Sequence, residues 1–233
     1  MIYPKHVAII PDGNRTRAKE NNKDLPEAYM TAYEKSVELI KYNFTNTDIQ
    51  IFTLRWLSTE NTKNRPKEEF DFRMTMHKLI DGELDAFLIA NKVNFKAIGN
   101  LDWITEWFRK YLREKTERTK CDSERTLVFA INYGGRDEIL RGIKKLDQQK
   151  YNFSDIKEED LSKSLDLWDI PTIDLVIRTK GDQAQRTSGF MSRWIGYAEL
   201  YFTELKCPEF DVPNYKEALE WFDDIAQKRN FWK

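Results

Sequence analysis

The sequence has few cysteines, no long apolar runs and no excess of charge of either sign. Only Cys121 and Cys207 occur among the 233 residues, far apart and without CxxC spacing, which excludes a disulfide framework and a cysteine-based zinc site. Nowhere do about 18 apolar residues follow one another, and no basic region followed by an apolar stretch opens the chain. Neither a membrane span nor a signal peptide is predicted, and we expect a cytoplasmic protein.

The charge balance also excludes some classes of function. The 38 basic and 39 acidic residues form no block of like charge that would follow a phosphate backbone, which argues against a nucleic-acid-binding protein. The sequence contains no Walker or GxGxxG signature. It also contains no internal repeat, low-complexity tract or linker, and it is long enough to bury a full core despite a mean hydropathy of -0.70. We therefore predict a single domain over residues 1–233.

Two kinds of segment alternate along the chain. Short apolar runs rich in β-branched and aromatic residues predict five buried strands, at 6–10, 49–54, 93–98, 126–131 and 173–177. Amphipathic stretches predict helices at 27–43, 66–91, 103–120, 136–150 and 214–229, and the polar stretch 148–163 is interpreted as a surface excursion. This alternation predicts an α/β fold with a largely parallel sheet covered on both faces.

Polar tips follow the predicted strands. Ligands of parallel sheets bind at the carboxyl ends of the strands, so these tips are the candidate site. They are Asp12-Gly13-Asn14 and the segments 57–61, 132–136 and 178–182. Together they supply carboxylates, guanidinium groups, hydroxyls and glycines whose backbone amides can approach an anion. This combination predicts a site for a diphosphate with Mg²⁺.

Several ordered blocks carry a family resemblance. HVAIIPDGN, STENTKNRP, NYGGRDEI and IDLVIRT, followed by RTSGF and YAELYF, together resemble the cis-prenyltransferases, the undecaprenyl diphosphate synthase-like enzymes, from His6 to about Phe210. The resemblance implies about six mostly parallel strands, a homodimer, and isoprenoid diphosphates bound beside an elongated apolar tunnel. The implied chemistry is Mg²⁺-assisted ionisation of an allylic diphosphate and attack on the resulting cation, usually by isopentenyl diphosphate.

The matched positions carry implied roles. Asp12 matches the catalytic aspartate that holds Mg²⁺ on the substrate diphosphate, and Glu199 matches a position associated with magnesium. Their structural alternatives are an Asx turn or helix cap and a buried ion pair. Gly13 and Asn14 match positions that approach the allylic diphosphate. The diphosphate of the homoallylic substrate is assigned to Arg178, Arg186 and Ser188, since arginine meets phosphate oxygens bidentately.

A loop and two aromatic side chains complete the implied site. Ser58, Glu60 and Arg65 match the flexible loop that links substrate binding to tunnel closure, and Ser58 with Asn14 is the candidate for assisting proton removal. Trp56 and Phe129 are predicted to line the tunnel, where a bulky wall residue stops chain growth by overlap. The alternatives are a solvent-bonded serine and ordinary core packing of both aromatic residues.

The sequence departs from the family pattern at the allylic site. Thr16 stands in place of the expected diphosphate arginine, and Arg15 and Arg17 are the candidate replacements. Leu25 and Tyr29 occupy two further positions where the family has an arginine and a histidine. This rebuilt pocket also resembles the divergent branch that performs head-to-middle coupling or prenylates an alcohol.

We therefore predict a Mg²⁺-dependent prenyltransferase that transfers a short allylic prenyl group to isopentenyl diphosphate or another small acceptor. One alternative is a non-catalytic accessory subunit of a heteromeric cis-prenyltransferase, which the retention of Asp12, Arg178 and Arg186 disfavours. The other is a long-chain polyprenyl diphosphate synthase. The acceptor, the product length and a transient contact with a membrane stay open.

Overall fold

The computed structural model describes the backbone of residues 1–230 and, except at positions 76, 79, 80 and 230, their side chains, so the last three residues of the predicted domain lie outside the described residues. Six strands form one sheet: β1 (His6–Ile10), β2 (Ile51–Arg55), β3 (Asn94–Ile98), β4 (Thr126–Ala130), β5 (Leu175–Arg178) and β6 (Glu199–Phe202). The α-helices within 1–230 are α1 (Asn14–Glu20), α2 (Leu25–Asn46), α3 (Thr59–Asn64), α4 (Lys67–Ile80), α5 (Gly82–Ala90), α6 (Glu106–Thr119), α7 (Gly135–Gln148), α8 (Glu158–Ser164) and α9 (Val212–Asn230). No helix in this range is long and apolar enough to cross a membrane.

The strand order positions the site. The order is β3-β4-β2-β1-β5-β6, and every neighbouring pair is parallel, which confirms the predicted α/β class. From β1 the chain continues to β2 on one side, whereas β5 lies on the other side. In parallel sheets, a crevice opens at the carboxyl end of a strand where the chain connections on its two sides run in opposite directions. That crevice lies where β1 ends, directly before Asp12.

Burial on both faces of the sheet explains why the strands could be predicted from the sequence. All five residues of β1 are buried. Val7 and Ile9 belong to the core on one face of the sheet, while Ala8 and Ile10 belong to the core on the other. Parallel strands covered on both faces need apolar side chains at every position, because successive side chains point to opposite faces.

The structure also differs from the predictions. It adds β6, a four-residue strand at the sheet edge whose side chains are partly exposed, so it lacks the apolar run of a central strand. The helix predicted over 66–91 is two helices, separated at Asp81. The excursion predicted over 148–163 contains most of α8.

A buried polar cluster joins α4, α5 and α6. The Asp81 carboxylate is fully buried and accepts hydrogen bonds from the hydroxyl of Tyr33, at 2.6 Å, and from Tyr111 and the Lys115 ammonium. Burial alone would raise the pKa of Asp81, but attraction to His77 and Lys115 and the hydrogen bonds from Lys115 and Tyr111 lower it to about 2. The cluster therefore keeps a charged carboxylate inside the core where the two helices meet.

His77 is the least satisfied member of this region. Among the described residues neither of its ring nitrogens has a hydrogen-bond partner, and Nε2 lies 3.6 Å from Asp81 Oδ2. Aromatic rings surround it, with the centroids of Tyr33, Trp56 and Phe129 at 5.2, 5.6 and 5.4 Å. Burial lowers the pKa of His77 from 6.5 to about 4, against the attraction of Asp81. The imidazole is therefore neutral in the folded protein at neutral pH.

We expect His77→Phe to make the protein less sensitive to acid. Because the folded pKa lies below the unfolded one, the unfolded chain takes up a proton first, and stability is lost as pH falls from 6.5 to about 4. The shift corresponds to about 3 kcal/mol over that window. Urea unfolding at pH 7, 5.5 and 4.5 should show a smaller loss for the variant than for the wild type. The buried His6 is present in both proteins, so equal losses would contradict this account of His77.

Candidate active site

Asp12 follows the carboxyl end of β1 in a turn whose next position, residue 13, accommodates only glycine. Gly13 has φ +106, and a Cβ there would approach the Cβ of Lys206 to 2.7 Å. The Asp12 backbone is fixed on both sides, because its N–H donates to Thr179 Oγ1 at 2.7 Å and its carbonyl accepts from the Cys207 N–H at 2.9 Å. Asp12 Oδ1 accepts from the Gly13 N–H at 2.7 Å. The carboxylate is 43% exposed and faces a cavity.

Arg178, the last residue of β5, holds that carboxylate from the neighbouring strand. Its side chain is 5% exposed, and Nη2 donates to Asp12 Oδ2 at 2.9 Å. Nη1 donates to Ser188 Oγ at 3.0 Å and to the carbonyl of Arg186. Arg178 therefore ties the turn at 186–188 to Asp12, and its buried Nε has no partner among the described residues.

The segment after β2 forms the opposite rim. Ser58 is buried and caps α3, because its Oγ accepts from the Asn61 N–H at 3.1 Å. Glu60, in the first turn of α3, is exposed. Arg65 is paired with Glu69 at 3.0 Å and also donates to the Tyr29 hydroxyl at 3.3 Å. The structure thus brings this predicted loop to the same cavity as Asp12.

The cavity between these elements has a volume of about 390 Å³ and an excess of positive charge. Two carboxylates line it, those of Asp12 and Glu60, against seven cations: Arg15, Arg55, Arg65, Arg73, Arg178, Lys180 and Arg186. Of these cations only Arg65 and Arg178 take part in ion pairs among the described residues. Five unpaired cations around one cavity create a strongly positive potential that attracts an anion.

In one wall of the cavity, the guanidinium of Arg73 packs between the aromatic rings of Tyr29 and Trp56. The Cζ atom of Arg73 lies 4.7 Å from the ring centroid of Tyr29 and 4.7 Å from that of Trp56. Its Nη2 donates to the Trp56 carbonyl at 2.6 Å. Cation–π contacts of this kind gain strength when the cation is desolvated. Burial lowers the pKa of Arg73, yet the guanidinium stays charged at neutral pH.

Most of the predicted site residues line this cavity. They are Asp12, Gly13, Asn14, Arg15, Trp56, Ser58, Glu60, Arg65, Arg178, Arg186 and Ser188. Asn14 contributes an Oδ1 atom that is buried and has no partner among the described residues. Cys207 also lines the cavity, and burial raises the pKa of its thiol to about 12, so it is no nucleophile at neutral pH.

Two predicted residues lie elsewhere. Arg17 is not among the residues that line the cavity, because its guanidinium pairs with Glu209 at 2.8 Å and lies 3.9 Å from Glu20. Phe129 is fully buried in the core, with its ring centroid 5.3 Å from that of Phe95. Phe129 is not among the residues that line this cavity, so its place in a tunnel wall stays a prediction.

Glu199 is also separated from Asp12. In the sheet register Arg178 is level with both Ile10 and Phe202, so Glu199 lies three residues before that level and Asp12 two residues beyond it. At a rise of about 3.3 Å per residue, the two carboxylates are about 16 Å apart along the strands. Glu199 pairs instead with Arg229. Glu199 therefore does not reach the Asp12 carboxylate within one chain, and its association with magnesium stays a prediction.

The side-chain oxygens of Asp12 and Asn14 fit the coordination that Mg²⁺ usually has in proteins. Among the described residues no three His, Cys, Asp or Glu side chains form a cage for a metal. Mg²⁺ is usually held by one or two carboxylates together with waters and substrate phosphates. The Asp12 side chain is partly exposed and lines the same cavity as Asn14, whose Oδ1 has no partner among the described residues, and this donor set matches that arrangement.

Three of the seven cations, Arg55, Arg73 and Lys180, had no individual role assigned from the sequence, although Lys180 lies in the predicted tip 178–182. Arg55 ends β2 and Lys180 follows β5, so both stand at strand tips, a signal that was available. Burial lowers the pKa of Arg55 to about 10, which still leaves it charged at neutral pH. Arg73 lies in the middle of α4, where only the packing of that helix brings it to the cavity.

Comparisons with known proteins agree with this geometry. Residues 10–231 match the model of a prenyltransferase family described as "Putative undecaprenyl diphosphate synthase". The chain is 34% identical over 232 residues to an isoprenyl transferase of Chlamydia caviae, covering 97% of this chain and 92% of that protein. It is 33% identical over 235 residues to a farnesyl-diphosphate-specific ditrans,polycis-undecaprenyl-diphosphate synthase of Vibrio vulnificus, covering 98% and 90%. The structure of lavandulyl diphosphate synthase from Lavandula x intermedia, solved with dimethylallyl diphosphate, superposes with a TM-score of 0.86 at 26% identity, covering 94% of this chain and 95% of that one.

Proposed function

Because this chain belongs to the prenyltransferase family of undecaprenyl diphosphate synthases, we propose that it transfers a short allylic prenyl group from its diphosphate to isopentenyl diphosphate or another small acceptor, with Mg²⁺ as cofactor. The observation that carries this proposal is the cavity charge. Asp12 stands in a pocket whose lining contains seven cations and two carboxylates. A diphosphate with one bound divalent cation complements such a pocket.

Different residues would hold the metal, neutralise the leaving group and position the second substrate. Bound Mg²⁺ would supply positive charge to the departing diphosphate, and Asp12 would hold it there. The unpaired arginines and Lys180 neutralise the same leaving group as the allylic C–O bond breaks and its electron pair stays on the diphosphate. Arg178 keeps Ser188 and the backbone at 186 in place for the second substrate.

The acceptor then completes the reaction. With isopentenyl diphosphate, the double bond attacks the allylic cation, a new C–C bond forms and one proton is lost. The released diphosphate is the strongest base in the cavity and takes that proton. Asn14 Oδ1, which is buried without a partner among the described residues, and the Ser58 hydroxyl assist its removal.

The assay that tests this function separates donor from acceptor. Purified protein would be incubated with Mg²⁺ and dimethylallyl or geranyl diphosphate, with and without isopentenyl diphosphate, and the products identified by mass spectrometry. We expect a short prenyl diphosphate that disappears when EDTA is added. Absence of any product with either donor would refute the proposal and favour an accessory subunit.

Product length should depend on the Trp56–Arg73 wall. A charged guanidinium stacked on Trp56 leaves no apolar exit from the cavity there, and each added isoprene unit needs apolar space. We expect Trp56→Ala, and more mildly Trp56→Leu, to yield products at least one isoprene unit longer. Trp168→Ala, which removes a 60% exposed indole away from the cavity, is the matched control. Identical product masses for all three variants and the wild type would rule out this wall as the length determinant.

A second candidate is non-standard coupling. The fold similarity to lavandulyl diphosphate synthase, with a TM-score of 0.86, favours it. The wall of Arg73, Tyr29 and Trp56 supports it further, because a polar wall suits a small substrate better than a growing hydrocarbon. Dimethylallyl diphosphate as sole substrate distinguishes the two candidates. A branched ten-carbon product would indicate head-to-middle coupling, whereas a requirement for isopentenyl diphosphate would indicate ordinary extension.

A homodimer is also part of the proposal. The predicted magnesium ligand Glu199 lies at the opposite end of the sheet from Asp12 within one chain, so a contribution from it to a site would require a second copy. Sedimentation velocity at micromolar concentration would test the assembly. A monomer with full activity would remove Glu199 from the site.

A further inference from the structure

Lys180 brings an ammonium group to the cavity that Asp12 also lines, from the tip of the neighbouring strand. The residue follows Arg178 at the end of β5 and has φ +59. Its backbone N–H donates to the Leu205 carbonyl at 2.7 Å, which fixes the start of the side chain. The side chain then crosses to α1, where Nζ donates to Thr16 Oγ1 at 2.7 Å. Lys180 and Thr16 both line the cavity.

No carboxylate among the described residues neutralises this ammonium. The Thr16 hydroxyl is neutral and uses one of the three N–H donors of Lys180. Nearby cations are satisfied, since Lys206 pairs with Glu20 at 2.9 Å and Arg17 pairs with Glu209 at 2.8 Å. A partly buried, uncompensated ammonium is unfavourable unless an anion completes its coordination. Lys180 is therefore the cation on the α1 side of the cavity that still needs one.

The pair also has the donors that a phosphate oxygen requires. Lys180 retains two N–H donors, and Thr16, which accepts through its oxygen, keeps its own O–H as a donor. Charge-assisted hydrogen bonds to phosphate are among the strongest in proteins. Arg17, a candidate for this role by sequence, is held by acidic residues outside the cavity.

We infer that Lys180 and Thr16 form a diphosphate-binding subsite, in which the lysine supplies the cation that the α1 segment itself lacks. The ligand class is a prenyl diphosphate whose phosphate oxygens lie between Asp12 and Thr16. This inference rests on the proposed function for the identity of the organic group, but the phosphate recognition stands on its own.

Calorimetric titration with Mg²⁺ and inorganic diphosphate would test the subsite without requiring turnover. Relative to wild type, we expect Lys180→Met to raise Kd by about 10- to 100-fold, as for the loss of one charge-assisted hydrogen bond. Lys23→Met, which removes a surface lysine paired with Glu27, should leave Kd unchanged. The double variant Thr16→Arg with Lys180→Met should regain most of the affinity, because an arginine at position 16 would place its guanidinium in the region that the Lys180 ammonium occupies.

The outcomes distinguish this inference from the proposed function. Unchanged Kd in Lys180→Met, or no recovery in the double variant while both variants melt like wild type, would overturn the subsite. Weakened diphosphate binding in a protein that makes no prenyl product would support the subsite and refute the prenyl transfer. In an active enzyme, we further expect KM for the allylic diphosphate to rise more than KM for the acceptor, and an equal rise in both would overturn the assignment to the donor.

Discussion

Replacing Asp12 by asparagine is expected to lower kcat/KM for prenyl transfer about 10³-fold. Asparagine keeps the size of the side chain and an oxygen for the Gly13 amide, which lies 2.7 Å from Asp12 Oδ1. It removes the negative charge that would hold Mg²⁺ on the diphosphate, and it leaves the buried Arg178 without its carboxylate at 2.9 Å. Stabilisation of a leaving group is worth several kcal/mol, and each loss of about 1.4 kcal/mol slows the reaction tenfold.

The measurement is the initial rate with dimethylallyl and isopentenyl diphosphate over a series of Mg²⁺ concentrations. Asp122→Asn is the matched control, because this exposed aspartate precedes β4, at the amino end of the strand, and does not line the cavity. That variant should keep the wild-type rate to within about twofold. Circular dichroism and a thermal melt would show that both variants are folded. A rate for Asp12→Asn within tenfold of wild type would exclude Asp12 as the residue that positions the metal.

Lys115→Met is expected to reduce the free energy of unfolding by about 3–5 kcal/mol. The side chains of Lys115 and Asp81 are both 0% exposed, and the ammonium also lies 2.7 Å from Asp85 Oδ1. Methionine fills a similar volume, so the main effect is electrostatic. Among the described residues, it leaves the buried Asp81 carboxylate with the hydroxyl donors of Tyr33 and Tyr111 and a neutral His77 beside it.

A double variant shows whether Lys115→Met loses stability through poorer packing or through the uncompensated charge of Asp81. Asp81→Asn combined with Lys115→Met removes both charges, and Asp85 keeps Arg118 as a partner. We expect this variant to be more stable than Lys115→Met alone. Lys228→Met, which breaks an exposed pair with Asp224, should cost at most about 1 kcal/mol in urea unfolding. If Lys115→Met cost no more than Lys228→Met, the buried ion pair would not stabilise the helix junction.

The fold could be predicted where local pattern and tertiary environment agree. Strands β1, β2, β4 and β5 are buried on both faces, so each needs an uninterrupted apolar run that is visible in the sequence. Strand β6 is only partly buried at the sheet edge and has no such run. The break between α4 and α5 was missed because Asp81 is stabilised by Tyr33, Tyr111 and Lys115, which are distant in sequence.

The family, the α/β sheet and the presence of Asp12 and Arg178 at strand tips follow from the order of the amino acids, because a residue at or directly after the carboxyl end of a buried parallel strand lies on the binding edge. Which side chains meet at that edge depends on how the helices and strands pack. The packing brings Arg73 from the middle of α4 and Lys180 across to Thr16, and it separates Glu199 from Asp12. Strand tips are set by local pattern, whereas charge compensation depends on distances between elements far apart in the chain.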